Sequence, residues 1–352
     1  MKTLTAPRLT LSPLTRLLTL TLTFTLLLFS SAHAGTDPFE TNKRLGRGIN
    51  IGNALDAPKG VSWGVELKEE YFDAIKAAGF DSIRLPVRWS DYASMEAPYT
   101  IDPAWFAKVD WAIDQALKRG LPIIVDLHHY REVYANPAPH KARTLGLWKQ
   151  IAEHYKGYPD LLILELFNEP DEAFTPDIWN EWLVEILAIV RQSHPDRTLI
   201  IGPGEDNITA YLNDLRLPEN DRNLIVTIHC YHPLSFTHQG AEWFSWIDAK
   251  KWLGLTWTGT PDQVANLNAE FDHAAAWGKK HNRPMNLGEF GAIKLADMNS
   301  RALWTKANAD AAIARGMSFH YWEFCADFFG LYDPATKTFR QPLLDAVLPK
   351  KK

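Results

Sequence analysis

The chain has 352 residues, 46% of them hydrophobic, and its 42 acidic side chains outnumber 37 basic ones. That length buries a large core in one barrel-sized domain or two smaller ones, and a net charge of −5 argues against nucleic acid or an anionic membrane as a partner. With only Cys230 and Cys325 there is no disulfide framework, so size and core must stabilise the fold.

The first residues read as an address. Lys2, Arg8 and Arg16 precede or flank an apolar run from Leu17 to Phe29, and Ala32-His33-Ala34 offers a small-residue cleavage site. This is the layout of a secretory signal over residues 1–34, with cleavage after Ala34 and delivery to the periplasm or the medium. The run is short of the roughly 20 residues a membrane span needs. Residues 35–352 are expected to form one domain, because no linker, charge block or low-complexity tract interrupts 36–349.

Eight short β-rich runs follow: RGINIGN (47–53), DSIRLPV (81–87), PIIVDLHH (122–129), LLILELFNE (161–169), TLIIGPG (198–204), NLIVTIHCY (223–231), PMNLGEFG (284–291) and SFHYWEFC (318–325). Several are nearly continuous in Val, Ile and Leu, as in strands of a parallel sheet buried on both faces. Amphipathic stretches such as PAWFAKVDWAIDQALKRG (103–120) lie between them, and Gly79, Gly120 and Gly316 each stand where a left-handed helix cap belongs. The pattern predicts an α/β fold, a single-domain (β/α)8 TIM barrel. Its fifth helix is the weakest, with only a turn around Tyr211 to Leu215. A doubly wound open sheet is the alternative, but no G-x-G-x-x-G follows the first run.

Barrel chemistry collects where strands end and the following loops begin. The run ends carry Asn53, Arg84, His128, His129, Asn168, Glu169, His229, Tyr231, Glu289 and Trp322. Any one of these is ordinary, since a strand-end histidine is usually structural and a loop-opening glutamate usually a cap. Convergence from seven strands is not ordinary. Glu169 and Glu289 face each other across the barrel mouth, and paired carboxyl groups in unlike environments are the equipment for cleaving a glycosidic bond. Arg84 and Tyr231 can hold Glu289 ionised as the nucleophile. Glu169 then serves as general acid/base, Asn168 reads the 2-hydroxyl, and Pro170 restricts the conformation of Glu169. Glu165 lies on the same side of its run as Glu169 and needs a buried partner, for which Arg84 is the candidate.

The ordered set GRGINIGNALDAP (46–58), IRLPVRW (83–89), DLHHY (126–130), LFNEP (166–170), IHCYHP (228–233), LGEFGA (287–292) and HYWEF (320–324) resembles glycoside hydrolase family 5 of clan A, which contains many endo-β-1,4-glucanases. The resemblance implies Glu169 as acid/base, Glu289 as nucleophile, and Arg84, His128, Asn168, His229, Tyr231 and Trp322 as the supporting set. It also implies retention of configuration, with the carboxyl groups about 5–5.5 Å apart. FTHQGAEW (236–243) resembles a loop of a cellulase subgroup with some mannan-active members, which puts His238 and Trp243 in the sugar cleft. That subgroup often has Glu where this chain has Asp56, so the sugar contact there is weakened.

Trp322 reads as a sugar platform, and Trp63 as either a platform or packing. Of Trp243, Trp246, Trp252 and Trp257, at least two are expected to pack their long loop. His128 points inward and His129 bends toward the cleft. His128, His129, His229 and His232 also suggest a metallohydrolase, but a His-x-His at the first strand end and a bridging lysine on the fourth are missing, so no metal and no cofactor are expected. Cys230 and Cys325 sit on strands that flank a third, too far apart to pair. The expected partner is a β-glucan polysaccharide or cello-oligosaccharide, handled by a monomer. Rival readings are a β-mannanase, a mixed-linkage glucanase or a carbohydrate-binding barrel without turnover. With no appended binding module, soluble or amorphous chains are the expected substrates.

Overall fold

A computed structural model describes Thr3 and residues 37–349; the leader expected over 1–34 otherwise lies outside the described residues. Eight parallel strands close into a barrel in sequential order: β1 (Arg47–Asn50), β2 (Ser82–Leu85), β3 (Ile123–Asp126), β4 (Leu162–Glu165), β5 (Leu199–Ile201), β6 (Leu224–His229), β7 (Met285–Phe290) and β8 (Ser318–Tyr321). β8 returns to β1, with His320 beside Gly48. The helices are α1 (Pro38–Leu45), α2 (Glu69–Ala78), α3 (Pro103–Lys118), α4 (Arg131–Ala135), α5 (Lys141–His154), α6 (Pro176–Ser193), α7 (Leu234–Thr237), α8 (Pro261–His281), α9 (Met298–Ala314) and α10 (Gln341–Val347). This is the (β/α)8 barrel expected from the alternation. In the fifth interval only a 3-10 turn, Thr209–Asp214, stands where a helix would.

Local chemistry accounts for the helices. In α3, Trp105, Val109, Ala112, Ile113 and Ala116 recur at helical spacing and are all buried. Asp102 caps its start by accepting from the Ala104 amide at 2.8 Å, with Pro103 in the first turn. Gly79, Gly120 and Gly316 take φ of 97°, 66° and 71°, the left-handed region expected of them.

The barrel interior is layered. Ile124, Ile163, Ile200 and Ile225 close its lower end with Leu45 of α1 as the plug. Above them Thr227 donates to Asn286 at 3.0 Å and Asn286 to Ser318 at 2.7 Å, so buried polar groups satisfy one another. The uppermost layer is charged, and it forms the floor of the site. Cys230 and Cys325 are both buried free thiols. Among the described residues no helix is long and apolar enough to cross a membrane.

Candidate active site

Arg84, fully buried on β2, organises the mouth. Its Nε and Nη2 donate to both oxygens of Glu165 at 2.7 and 2.8 Å, the partner expected from alternation on β4. Nη2 also lies 2.8 Å from Asp126 and donates to Asn168 Oδ1 at 2.8 Å, while Nη1 donates to Asn50 at 3.0 Å and to Glu289 at 2.7 Å. One guanidinium thus faces three buried carboxyl groups. Asp126 is pushed up to about 6 by burial, against the pull of Arg84. It accepts from the Val87 amide at 2.9 Å and lies 2.7 Å from His128 Nδ1, which orients that ring.

Glu289 reaches the mouth because β7 carries one residue more than β6 between Leu287 and Glu289. The extra residue is Gly288, where a Cβ would stand 2.4 Å from Thr227 Oγ1 and 2.9 Å from His229 Nε2. Tyr231 donates its hydroxyl to Glu289 Oε2 at 2.9 Å. Across the mouth, Glu169 has one oxygen 2.6 Å from His229 Nδ1, and its other accepts from the Asn168 amide at 3.2 Å. Donor atoms of Glu169, His229 and Glu289 all lie within 4.8 Å of one another.

The backbone at Glu169 differs from the sequence-based expectation. A residue before proline favours extended structure, yet Glu169 stands at φ 47°. Anchors on both sides override the local preference. Asn168 donates its backbone N–H to Leu127 at 3.0 Å and accepts from Tyr134 Oη at 2.9 Å, and Pro170 accepts from the Asp206 amide at 3.3 Å.

Burial pushes both carboxyl groups up, to about 7 at each. Two such groups so close do not both ionise cheaply. Arg84 and Tyr231 donate directly to Glu289, whereas Glu169 is flanked by Asp171 and Glu165, which oppose its charge. These donors favour the shared charge on Glu289 and the proton on Glu169.

The remaining residues take varied places. His128 is buried, its ring parallel to that of Trp322 at 6.0 Å, and Trp322 is half-buried. His129 turns at φ 50° to lie edge-on to His128 and Trp63, at 4.2 and 5.7 Å. Tyr231, His238 and Trp243 form a continuous aromatic edge, with centroids 5.0 and 6.0 Å apart. Trp243 is 49% exposed and Trp246 67%, while Trp257 is buried and Trp252 is partly buried against the cluster of Ala241, Ala249, Ile293 and Phe329, so two of the four hold the loop down.

Two placements correct the sequence reading. β1 ends at Asn50, and Asn50 rather than Asn53 enters the Arg84 network; Asn53 lies beyond the strand at φ 62°. Asp56, expected in the cleft, is fully buried. No side chain partners its oxygens; backbone amides of Asn53, Asp56 and Ala54 lie near enough to favour the charged form, but burial outweighs them and pushes it up to about 7. Its donor atoms lie within 4.8 Å of those of His128 and His129, the second cluster able to offer metal ligands. In the Glu169–His229–Glu289 cluster, Arg84 already supplies the positive charge a cation would bring.

Sequence reasoning missed Asn50, Asp126, Tyr134 and Asn207. Asp126 was within reach, two residues before His128 on the same face of a strand. Asn207 belongs to no β run and carries no local signal.

The cellulase family model, glycosyl hydrolase family 5, matches residues 43–327. Endoglucanase H of Acetivibrio thermocellus is 35% identical over 325 residues, covering 90% of this chain and 34% of that protein, so this chain spans about a third of its length. Endoglucanase B of Clostridium cellulovorans is 30% identical over 327 residues, covering 85% of this chain and 72% of that one. Thermotoga maritima Cel5A, solved with cellobiose and with mannotriose, is 48% identical with a TM-score of 0.86, covering 89% of this chain and 100% of that one. With the match running from the residues just before β1 to those beyond β8, the chain belongs to glycosyl hydrolase family 5, the cellulase family.

Proposed function

We propose that this chain is an exported, retaining endo-β-1,4-glucanase acting on β-glucan. The observation that carries the reading is the pair Glu169 and Glu289, with oxygens within 4.8 Å and unequal donors. That spacing suits covalent capture, whereas an inverting pair needs about 6.5–9.5 Å to admit water.

Glu289, ionised and held by Arg84 and Tyr231, attacks the anomeric carbon from one face. The bond from that carbon to the leaving oxygen breaks, and Glu169 gives its proton to that oxygen. Asn168, fixed by Arg84, stands beside Glu169 where a 2-hydroxyl would lie. Glu169, now a carboxylate, next takes a proton from water, whose oxygen displaces Glu289 and restores the original configuration. Trp322 and Trp243 offer indole faces for sugar rings, with Trp63 and His129 as a further wall.

A mannan-cleaving activity is the second reading, favoured by the likeness to Cel5A, which has been solved with mannotriose. A reducing-sugar assay across carboxymethyl cellulose, mixed-linkage glucan, mannan and xylan tests both. Highest rates on the two glucans, lost in a folded Glu289→Ala variant, are expected. An initial product of inverted anomeric configuration would refute the mechanism.

A further inference from the structure

The turn after β5 holds a backbone that local preference disfavours. Glu205, Asp206 and Asn207 stand in succession at φ 54°, 56° and 57°, a left-handed run that costs ordinary residues about 1–2 kcal/mol each. Contacts on two sides hold it. Asp206 donates its amide to Pro170 at 3.3 Å, and Asn207 accepts the backbone N–H of His229 at 3.0 Å. The turn therefore grips the residue following Glu169 and also the residue whose ring touches Glu169.

The Asn207 side chain is fully buried and faces that ring. Its Nδ2 lies 3.4 Å from His229 Nε2, while its Oδ1 has no partner. Gly202 makes the space, since a Cβ there would fall 2.0 Å from Oδ1. A buried carbonyl oxygen without a donor costs about 1–3 kcal/mol. Half a turn of the amide exchanges its oxygen and nitrogen: the oxygen gains a donor, the N–H at Nε2, and Nδ2 gives up its contact with that ring nitrogen.

We infer that Asn207 is a positioning residue: its amide oxygen accepts the Nε2–H of His229 and fixes the tautomer whose bare Nδ1 accepts a hydrogen bond from the protonated carboxyl of Glu169. In the opposite tautomer Nδ1–H donates to Glu169 and favours its carboxylate, the wrong state for an acid. The inference rests on Glu169 being the acid/base. The charged and titratable groups facing the pair are Arg84, Asp126, His128, Glu165, Asp171, Asp206 and Glu289, with Tyr134 and Tyr231 beside Glu169, and all remain when residue 207 is changed.

Asn207→Gly removes the amide and suits the left-handed backbone, whereas Asn207→Asp keeps an acceptor facing Nε2. Nitrogen-15 shifts of the His229 ring should show Nε2 protonated and Nδ1 bare in the parent and in Asn207→Asp, with protonated Nδ1 appearing in Asn207→Gly. On an aryl β-cellobioside the alkaline limb of kcat/KM should fall by about one pH unit in Asn207→Gly and return in Asn207→Asp. Asn207→Ser, too short to reach the ring, should repeat the shift if the glycine variant folds poorly. A protonated Nδ1 in the parent, or an unmoved limb in both shortened variants, overturns the inference. The ring shifts are read without substrate, so they decide the tautomer even if no glucan is cleaved.

Discussion

Tyr231→Phe removes one of the two direct donors on Glu289 and leaves the other. The hydroxyl donates to Oε2 at 2.9 Å, and Arg84 continues to hold Oε1 at 2.7 Å. Burial beside Glu289 keeps the phenol far from ionising, so in the parent it acts as a donor at every working pH. The ring itself stays packed against His238 and Phe329, with centroids 5.0 and 6.4 Å away. A hydrogen bond to a charged group is worth about 1.5–3 kcal/mol, or one to two pKa units. Losing it raises the pKa of Glu289 further above its ordinary value. The nucleophile works ionised, so the acidic limb of kcat/KM must move to higher pH by about one to two units. Rates on the acidic side should fall about 10- to 100-fold, and rates on the plateau much less. The assay is a pH profile of aryl β-cellobioside hydrolysis, with thermal melting as a check on the fold. A limb that stays in place while the rate drops evenly at every pH would refute the reasoning, because the hydroxyl would then act on substrate and not on Glu289.

Asp56 rises from 3.8 to about 7 on folding, so its contribution to stability is present below the lower value and is lost as pH climbs through the upper one. Asp56→Asn should therefore leave Tm nearly unchanged near pH 4 and raise it near pH 8, and equal shifts at both would contradict this account. Arg84→Met strips from Asp126, Glu165 and Glu289 the guanidinium they share and should cost about 3–5 kcal/mol in urea unfolding. Full stability in that variant would show that the carboxyl groups are neutral in the fold. Trp243→Ala, at a half-exposed ring, should raise KM on polysaccharide several-fold while kcat and Tm hold; a fall in kcat alone would place the ring in the chemistry.

Much of this protein can be read along the chain. The β runs are legible because strands buried on both faces must be apolar throughout, and the helices because a one-sided stripe must recur at helical spacing. Glu169 and Glu289 stand out because polar groups that end apolar strands need a reason to be there. Their arrival at one mouth follows from the barrel, since parallel strands all end on the same side. Glu165 as partner of Arg84 follows from alternation alone.

Other features exist only in three dimensions. The bulge at Gly288 that turns Glu289 inward depends on how β6 and β7 share their hydrogen bonds. The left-handed backbone at Glu169 is set by Tyr134, Leu127 and Asp206, residues whose distance along the chain hides their contact. Asn207 meets His229 because a turn after β5 folds over the neighbouring strand. Asp56 is fully buried although it stands in a loop outside the strands. Sequence periodicity reports what each residue does relative to its own strand or helix. Which donor meets which acceptor across the barrel, and hence which acid keeps its proton, is decided by packing between segments far apart in the chain.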